Sequence, residues 1–235
     1  MAELGTKGNP YLSSKDIPSS VYFKDNRAVS EVESRLKSMD KSFTGLNSID
    51  KELIKKEGFV DAYYYDSLGI LTRGVGQTQT YLDGPTSLSG FAQARQDTKK
   101  VTDEQVGILS REYKKLGLGD VTQQLNDGLY KVNYQVGGGW IKKFPSAWGS
   151  LKAGEYDKAI KEINFANPTK LPGVRSNWYK QTKNRVIDFE KSILAQKDYR
   201  DKQISTIVAS NKKLPITEDN NVSIFKKLGK LLHGG

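Results

Sequence analysis

Three residues in the middle of the chain have the right types and spacing to break a bond between sugars. Glu57 is followed nine positions later by Asp66, and six positions after that by Thr72. Two carboxyl groups across a cleft are what glycosidic hydrolysis requires. One stays protonated and gives its proton to the leaving oxygen; the other activates a water or attacks directly. Burying one and solvating the other would separate acid from base. A hydroxyl beside the second carboxylate can hold the attacking water. Spacing alone does not establish this chemistry, because Glu and Asp nine apart are common and also read as surface charges beside a strand threonine.

Positioning these residues needs a particular set of elements. A short helix is predicted from Ser48 as N-cap, with Ile49, Leu53 and Ile54 facing inward, and Glu57-Gly58 closing it. Residues 60–66 and 70–76 are aromatic or β-branched runs separated by Ser67-Leu68-Gly69, which predicts a hairpin. That hairpin can bring Asp66 and Thr72 to one rim, with Glu57 opposite. A third strand is expected around 78–82 and a helix near 87–99. Thr102-Asp103-Glu104-Gln105 reads as a capping box opening another helix, with Val106, Leu109, Tyr113 and Leu116 on one face. Further helices are expected at 120–135, 144–152, 155–164 and from about 174 to beyond 195. Upstream, residues 1–27 read as extended or irregular. Val29, Val32, Leu36, Met39 and Phe43 then form the seam of an amphipathic helix. The pattern is α+β: a small helix-plus-hairpin unit joined by a helix to a helical unit, not alternating βαβ.

Composition removes most competing chemistries. There is no cysteine, which excludes disulfide scaffolds, zinc–thiolate sites and cysteine nucleophiles. The single histidine is His233, which excludes His-rich metal sites and argues against a Ser-His-Asp triad. Gly137-Gly138-Gly139 is not a phosphate loop, since no Lys-Ser/Thr follows and no strand precedes. No metal or cofactor is expected. Hydrophobic residues at 36% suffice for a packed core. No run of about 18 apolar residues is present, so no transmembrane segment is expected. The first ten residues have no apolar core, so no secretion signal is expected. The net charge of +10 implies an anionic partner such as a nucleic acid, an acidic membrane or an acidic wall polymer. No recognition motif favours nucleic acid.

Glu57-Gly58-Phe59, Tyr65-Asp66 and Thr72-Arg73-Gly74-Val75-Gly76 together match a Glu-x8-Asp-x5-Thr signature, and the chain resembles the phage T4-type lysozymes. A second stretch agrees: Trp178-Tyr179-Lys180-Gln181-Thr182-Lys183-Asn184-Arg185 is similar to the family's WYxQTxNR segment. A third piece, from Phe144 through Lys152 with Tyr156-Asp157 and Ala159, also follows the pattern. The resemblance covers roughly 48–195 and implies a two-lobed lysozyme-like fold, with a hairpin lobe and a larger helical lobe joined by a long helix. It makes 48–195 the catalytic domain, 1–47 an N-terminal extension with one amphipathic helix, and 196–235 a C-terminal extension.

The activity implied is a β-1,4-N-acetylmuramidase acting on bacterial peptidoglycan with inversion and without cofactor. Glu57 would be the general acid, Asp66 would position or deprotonate the water, and Thr72 would assist. Inversion implies carboxyl groups roughly 6.5–9.5 Å apart. Arg185 falls on the arginine that pairs with the catalytic glutamate, a cation that burial of the acid would have to offset. Gln135, after Tyr134, matches a cleft-lining glutamine that would bind sugar hydroxyls or N-acetyl groups. The chain departs from the pattern in three places. Gln77 stands where the family has a histidine, Tyr113 aligns with that histidine's aspartate partner, and Asn167 through Gly173 form an added loop.

Two settings suit this resemblance: host cytoplasm before release at lysis, or the phage virion, with tail proteins as partners of the terminal segments. The tail at 222–233 places Ile224, Phe225, Leu228, Leu231 and Leu232 on one helical face beside three lysines. It would pack on the domain, bind a partner or lie on an anionic bilayer. The alternative to an enzyme is a non-catalytic phage structural or docking protein on the same scaffold. Tyr63, Tyr64 and Tyr65 could stack sugars, but strand alternation lets only one face of them line a cleft. Trp140, Trp148 and Trp178 read as core.

Overall fold

The computed structural model describes residues 11–67, 69–82, 86–166 and 173–212. The chain divides into two units between Asp97 and Thr98, and its class is α+β. The basic tail at 222–233, His233 and most of the added loop after Asn167 lie outside the described residues.

In the first unit, helix α1 spans Asp25–Met39 and buries Ala28, Val29, Val32 and Leu36. The predicted seam overshoots at its end: the helix stops at Asp40, Met39 is 53% exposed, and Phe43 lies beyond it. Helix α2 spans Ser48–Glu57, and its cap is Asn47, whose side chain accepts the Asp50 N–H at 2.8 Å. Ser48 is therefore the first helical residue and not the cap. Leu53 and Ile54 are buried, as expected, and Ile49 is half-buried. Asp50 is fully buried in an ion pair with Arg95.

Gly58 ends α2 at φ 76°, and strand β3 (Phe59–Tyr65) begins at once. It pairs antiparallel with β4 (Leu71–Gly74), with Tyr64 opposite Thr72 and an irregularity between Val60 and Tyr64. The second strand is shorter than the predicted 70–76 because Gly74, Val75 and Gly76 turn the chain, with both glycines at positive φ. The segment before α1 is not wholly irregular. Two short strands, β1 (Leu12–Ser13) and β2 (Tyr22–Phe23), share the other edge of β3. β1 runs parallel at Tyr64–Tyr65, and β2 antiparallel at Phe59–Val60.

The strand expected around 78–82 is a 3-10 turn at Gln79–Tyr81. The Arg73–Gln77 bridge folds the chain back onto β4 for one residue pair, and the chain then winds into the 3-10 turn instead of extending that ladder. Helix α3 runs without a break from Ser87 to Leu116, and Thr102 lies inside it. The capping-box signature is therefore overridden. Thr102 Oγ1 donates to the Thr98 carbonyl at 2.7 Å and accepts from Asn133 Nδ2 at 3.0 Å, so tertiary contact uses the hydroxyl that a cap would need.

The second unit continues with α4 (Gln123–Val136), α5 (Trp140–Lys143), α6 (Pro145–Lys152), α7 (Tyr156–Asn164) and α8 (Asn177–Lys212). Its core gathers Leu109, Leu129, Trp140, Trp148, Ile163 and Phe189, with Trp140 edge-on to both Trp148 and Phe189 at 5.7 and 5.6 Å. Each such side chain contributes about 1.5–3 kcal/mol by leaving water. All three tryptophans are buried, as the core reading had it. The Gly137-Gly138-Gly139 stretch joins α4 to α5. α8 passes position 196 unbroken. Gln196, fully buried, accepts the Thr122 N–H at 2.7 Å and donates to the Asp120 carbonyl at 2.9 Å. Ile204 and Ile207 pack against the same core. Among the described residues, no helix is long and apolar enough to cross a membrane.

Candidate active site

The first unit brings Asp66, Thr72 and Tyr64 to one face of the hairpin. Tyr64 and Thr72 are cross-strand partners, and Asp66 lies two residues beyond Tyr64, the repeat of a strand. Backbone bonds fix Asp66 at the start of the turn: its N–H donates to the Ile70 carbonyl at 3.0 Å, and its carbonyl accepts Gly69 N–H at 3.0 Å. Its carboxylate Oδ1 accepts Ile70 N–H at 2.9 Å. Thr72 is 3% exposed, and its hydroxyl donates to the same Ile70 carbonyl at 2.9 Å. With its proton committed there, Thr72 Oγ1 keeps only its acceptor capacity for any further partner. Ile70 is thus the hub that sets Asp66 and Thr72 in one geometry.

Glu57 reaches this unit's glycine turn from the end of α2. A Cβ built on Gly76 would stand 3.8 Å from Glu57 Oε2. The turn itself is pinned by Gln77, a buried side chain whose Oε1 accepts Val75 N–H and whose Nε2 donates to the Val75 carbonyl, both at 2.7 Å. Gln77 so holds the backbone beside Glu57.

Tyr64 links the two acids electrostatically. Burial first, then the negative charges of Asp66 and Glu57, then Tyr22, push its phenol up to about 12. Sequence reasoning grouped Tyr64 with its neighbours and did not select it. The usable signal was its two-residue offset from Asp66. Tyr63 and Tyr65 occupy the other face, against Tyr11 at 5.6 and 6.0 Å, and Tyr63 also carries the Arg73 guanidinium over its ring.

The remaining sequence-selected residues lie in the second unit. Tyr134 and Gln135 are half-buried near the end of α4, and Arg185 is half-buried on α8, three residues after a non-helical Thr182. Tyr113 is a fully buried phenol donating to the Leu151 carbonyl at 3.0 Å; burial raises its pKa. A cleft of about 500 Å³ in this unit, with Lys143, Phe144, Ser176 and Trp178 in its lining, escaped the sequence reading. Among the described residues, no three acidic or histidine side chains cluster as metal ligands would. A scan against protein-family models and a search of curated proteins return no match to this chain.

Proposed function

We propose that this chain is a phage-type peptidoglycan muramidase with the two-lobed fold of the T4-type lysozymes. The observation that carries the reading is the arrangement around β3. An acid closes α2 beside the glycine turn, and an aspartate–threonine pair shares one backbone hub on the hairpin.

In this reading Glu57 gives its proton to the glycosidic oxygen as the bond from C1 of N-acetylmuramic acid to that oxygen breaks. A water, accepted by Asp66 and oriented by Thr72, attacks C1 from the opposite face and passes its proton to Asp66. Gln77 keeps the turn beside Glu57 in place. Arg185, Gln135 and Tyr134 take the supporting roles that the resemblance gives them. Bacterial peptidoglycan is the anionic partner that the basic charge meets. The setting is host cytoplasm before lysis, or the virion with tail proteins bound by the terminal segments.

Mass analysis of digested peptidoglycan tests the proposal. Reducing-end muramic acid is expected, with Glu57→Gln lowering the rate about 10²–10⁴-fold. Anhydro ends would mean a lyase, and no fragments from the wild type would favour the non-catalytic scaffold.

A further inference from the structure

Tyr22 lies outside the lysozyme-like stretch, yet the sheet carries it to the residue next to Glu57. Its register partner on β3 is Val60. A Cβ on Gly58 would fall 2.8 Å from Tyr22 Cε2 and 3.5 Å from its hydroxyl oxygen, so the ring fills the space that glycine leaves open. Tyr22 is half-buried. Exposed Lys24 places its ammonium 5.0 Å from the ring centroid. The phenol of Tyr64 feels Tyr22 together with Asp66 and Glu57, which puts all four in one electrostatic neighbourhood.

We infer that Tyr22 is a substrate-contacting residue of the same site and that, with Lys24, it forms a subsite for an N-acetylated sugar bearing an acidic substituent. A tyrosine offers an apolar ring to the carbon–hydrogen face of a sugar and a hydroxyl to its polar edge. An ammonium at the rim attracts carboxylates such as those of a peptide carried on a muramyl unit. The identity of the sugar polymer rests on the muramidase reading; the place of Tyr22 against Gly58 does not. The N-terminal segment would then complete the cleft as well as cover a sheet edge.

The test uses the full chain carrying Glu57→Gln, so that bound glycan is not consumed. NMR titrations measure binding of a disaccharide-tetrapeptide muropeptide and of an N-acetylglucosamine trimer. Adding Tyr22→Leu, which keeps apolar bulk beside Gly58 without the ring, is expected to weaken both about tenfold with the melting midpoint kept. Adding Tyr22→Phe is expected to restore most of that loss. Lys24→Met is expected to weaken the muropeptide about threefold and leave the trimer unchanged. Unchanged binding in a folded Tyr22→Leu protein overturns the inference. So does a lower melting midpoint with unchanged affinity, which makes Tyr22 a packing residue only. The two readings fail separately. A wild type that releases no wall fragments sinks the muramidase, while trimer binding lost in Tyr22→Leu would still support the subsite. A Tyr22→Leu chain without the Glu57 change that cleaves peptidoglycan with wild-type KM sinks the subsite alone.

Discussion

The phenol of Tyr64 feels both acids, which makes it a reporter of their negative charges. Its raised pKa contributes stability that is fully present below about pH 10 and is lost as the pH climbs through about 12. Replacing Glu57 by Gln or Asp66 by Asn removes a negative charge while leaving the burial. Each variant should therefore lower the Tyr64 titration toward, but not to, the ordinary tyrosine value. Carbon-13 NMR of labelled tyrosine reads this directly, and a midpoint unmoved in both variants would separate the acids from the phenol. Gly58 is the other decisive residue. A side chain there meets Tyr22 and the Phe23 carbonyl at φ 76°, so Gly58→Ala should cost about 2–3 kcal/mol in a urea melt. At this scale the acids and Thr72 were legible, because their types and spacing are local facts. Tyr64 was not, because three consecutive tyrosines do not say which of them faces the rim. The helix cap was misplaced by one residue, from Asn47 to Ser48, because both side chains are good caps and only geometry chooses.

Elements were legible where one periodic face decided them. The first hairpin strand, α2, α4, α6 and α7 lie close to their predicted spans. Misreadings arose where a local signature met a tertiary competitor. Thr102 had the spacing of a cap, but no glycine or proline interrupts residues 91–106, and Asn133 claims its hydroxyl. Thr102→Val should leave α3 intact by circular dichroism and cost about 1–3 kcal/mol, because buried Asn133 loses an acceptor. A shortened helix would mean that Thr102 caps after all. The stretch 78–82 has strand residues but leaves the β4 edge after the single Arg73–Gln77 bridge and turns as a 3-10 helix.

For the molecule as a whole, the part of α8 beyond residue 195 is packed into the second unit. Residues 196–207 hold Gln196, Ile204 and Ile207 against the second unit, and Arg200 donates to the Gly154 carbonyl at 3.0 Å. A chain ending at residue 195 should therefore melt about 5–10 °C lower than one ending at 212. Equal midpoints in calorimetry would make 196–212 an appendage. No periodicity could reveal this, since the contacts of Gln196 with Asp120 and Thr122 span more than seventy residues. The pairing of Leu12 with Tyr64 has a consequence for biosynthesis. At elongation rates of about 5–20 residues per second, the ribosome delivers the partner strand roughly 3–10 s after the first. During that wait Leu12–Ser13 has no strand to pair with, and its order depends on chain that has not yet been made.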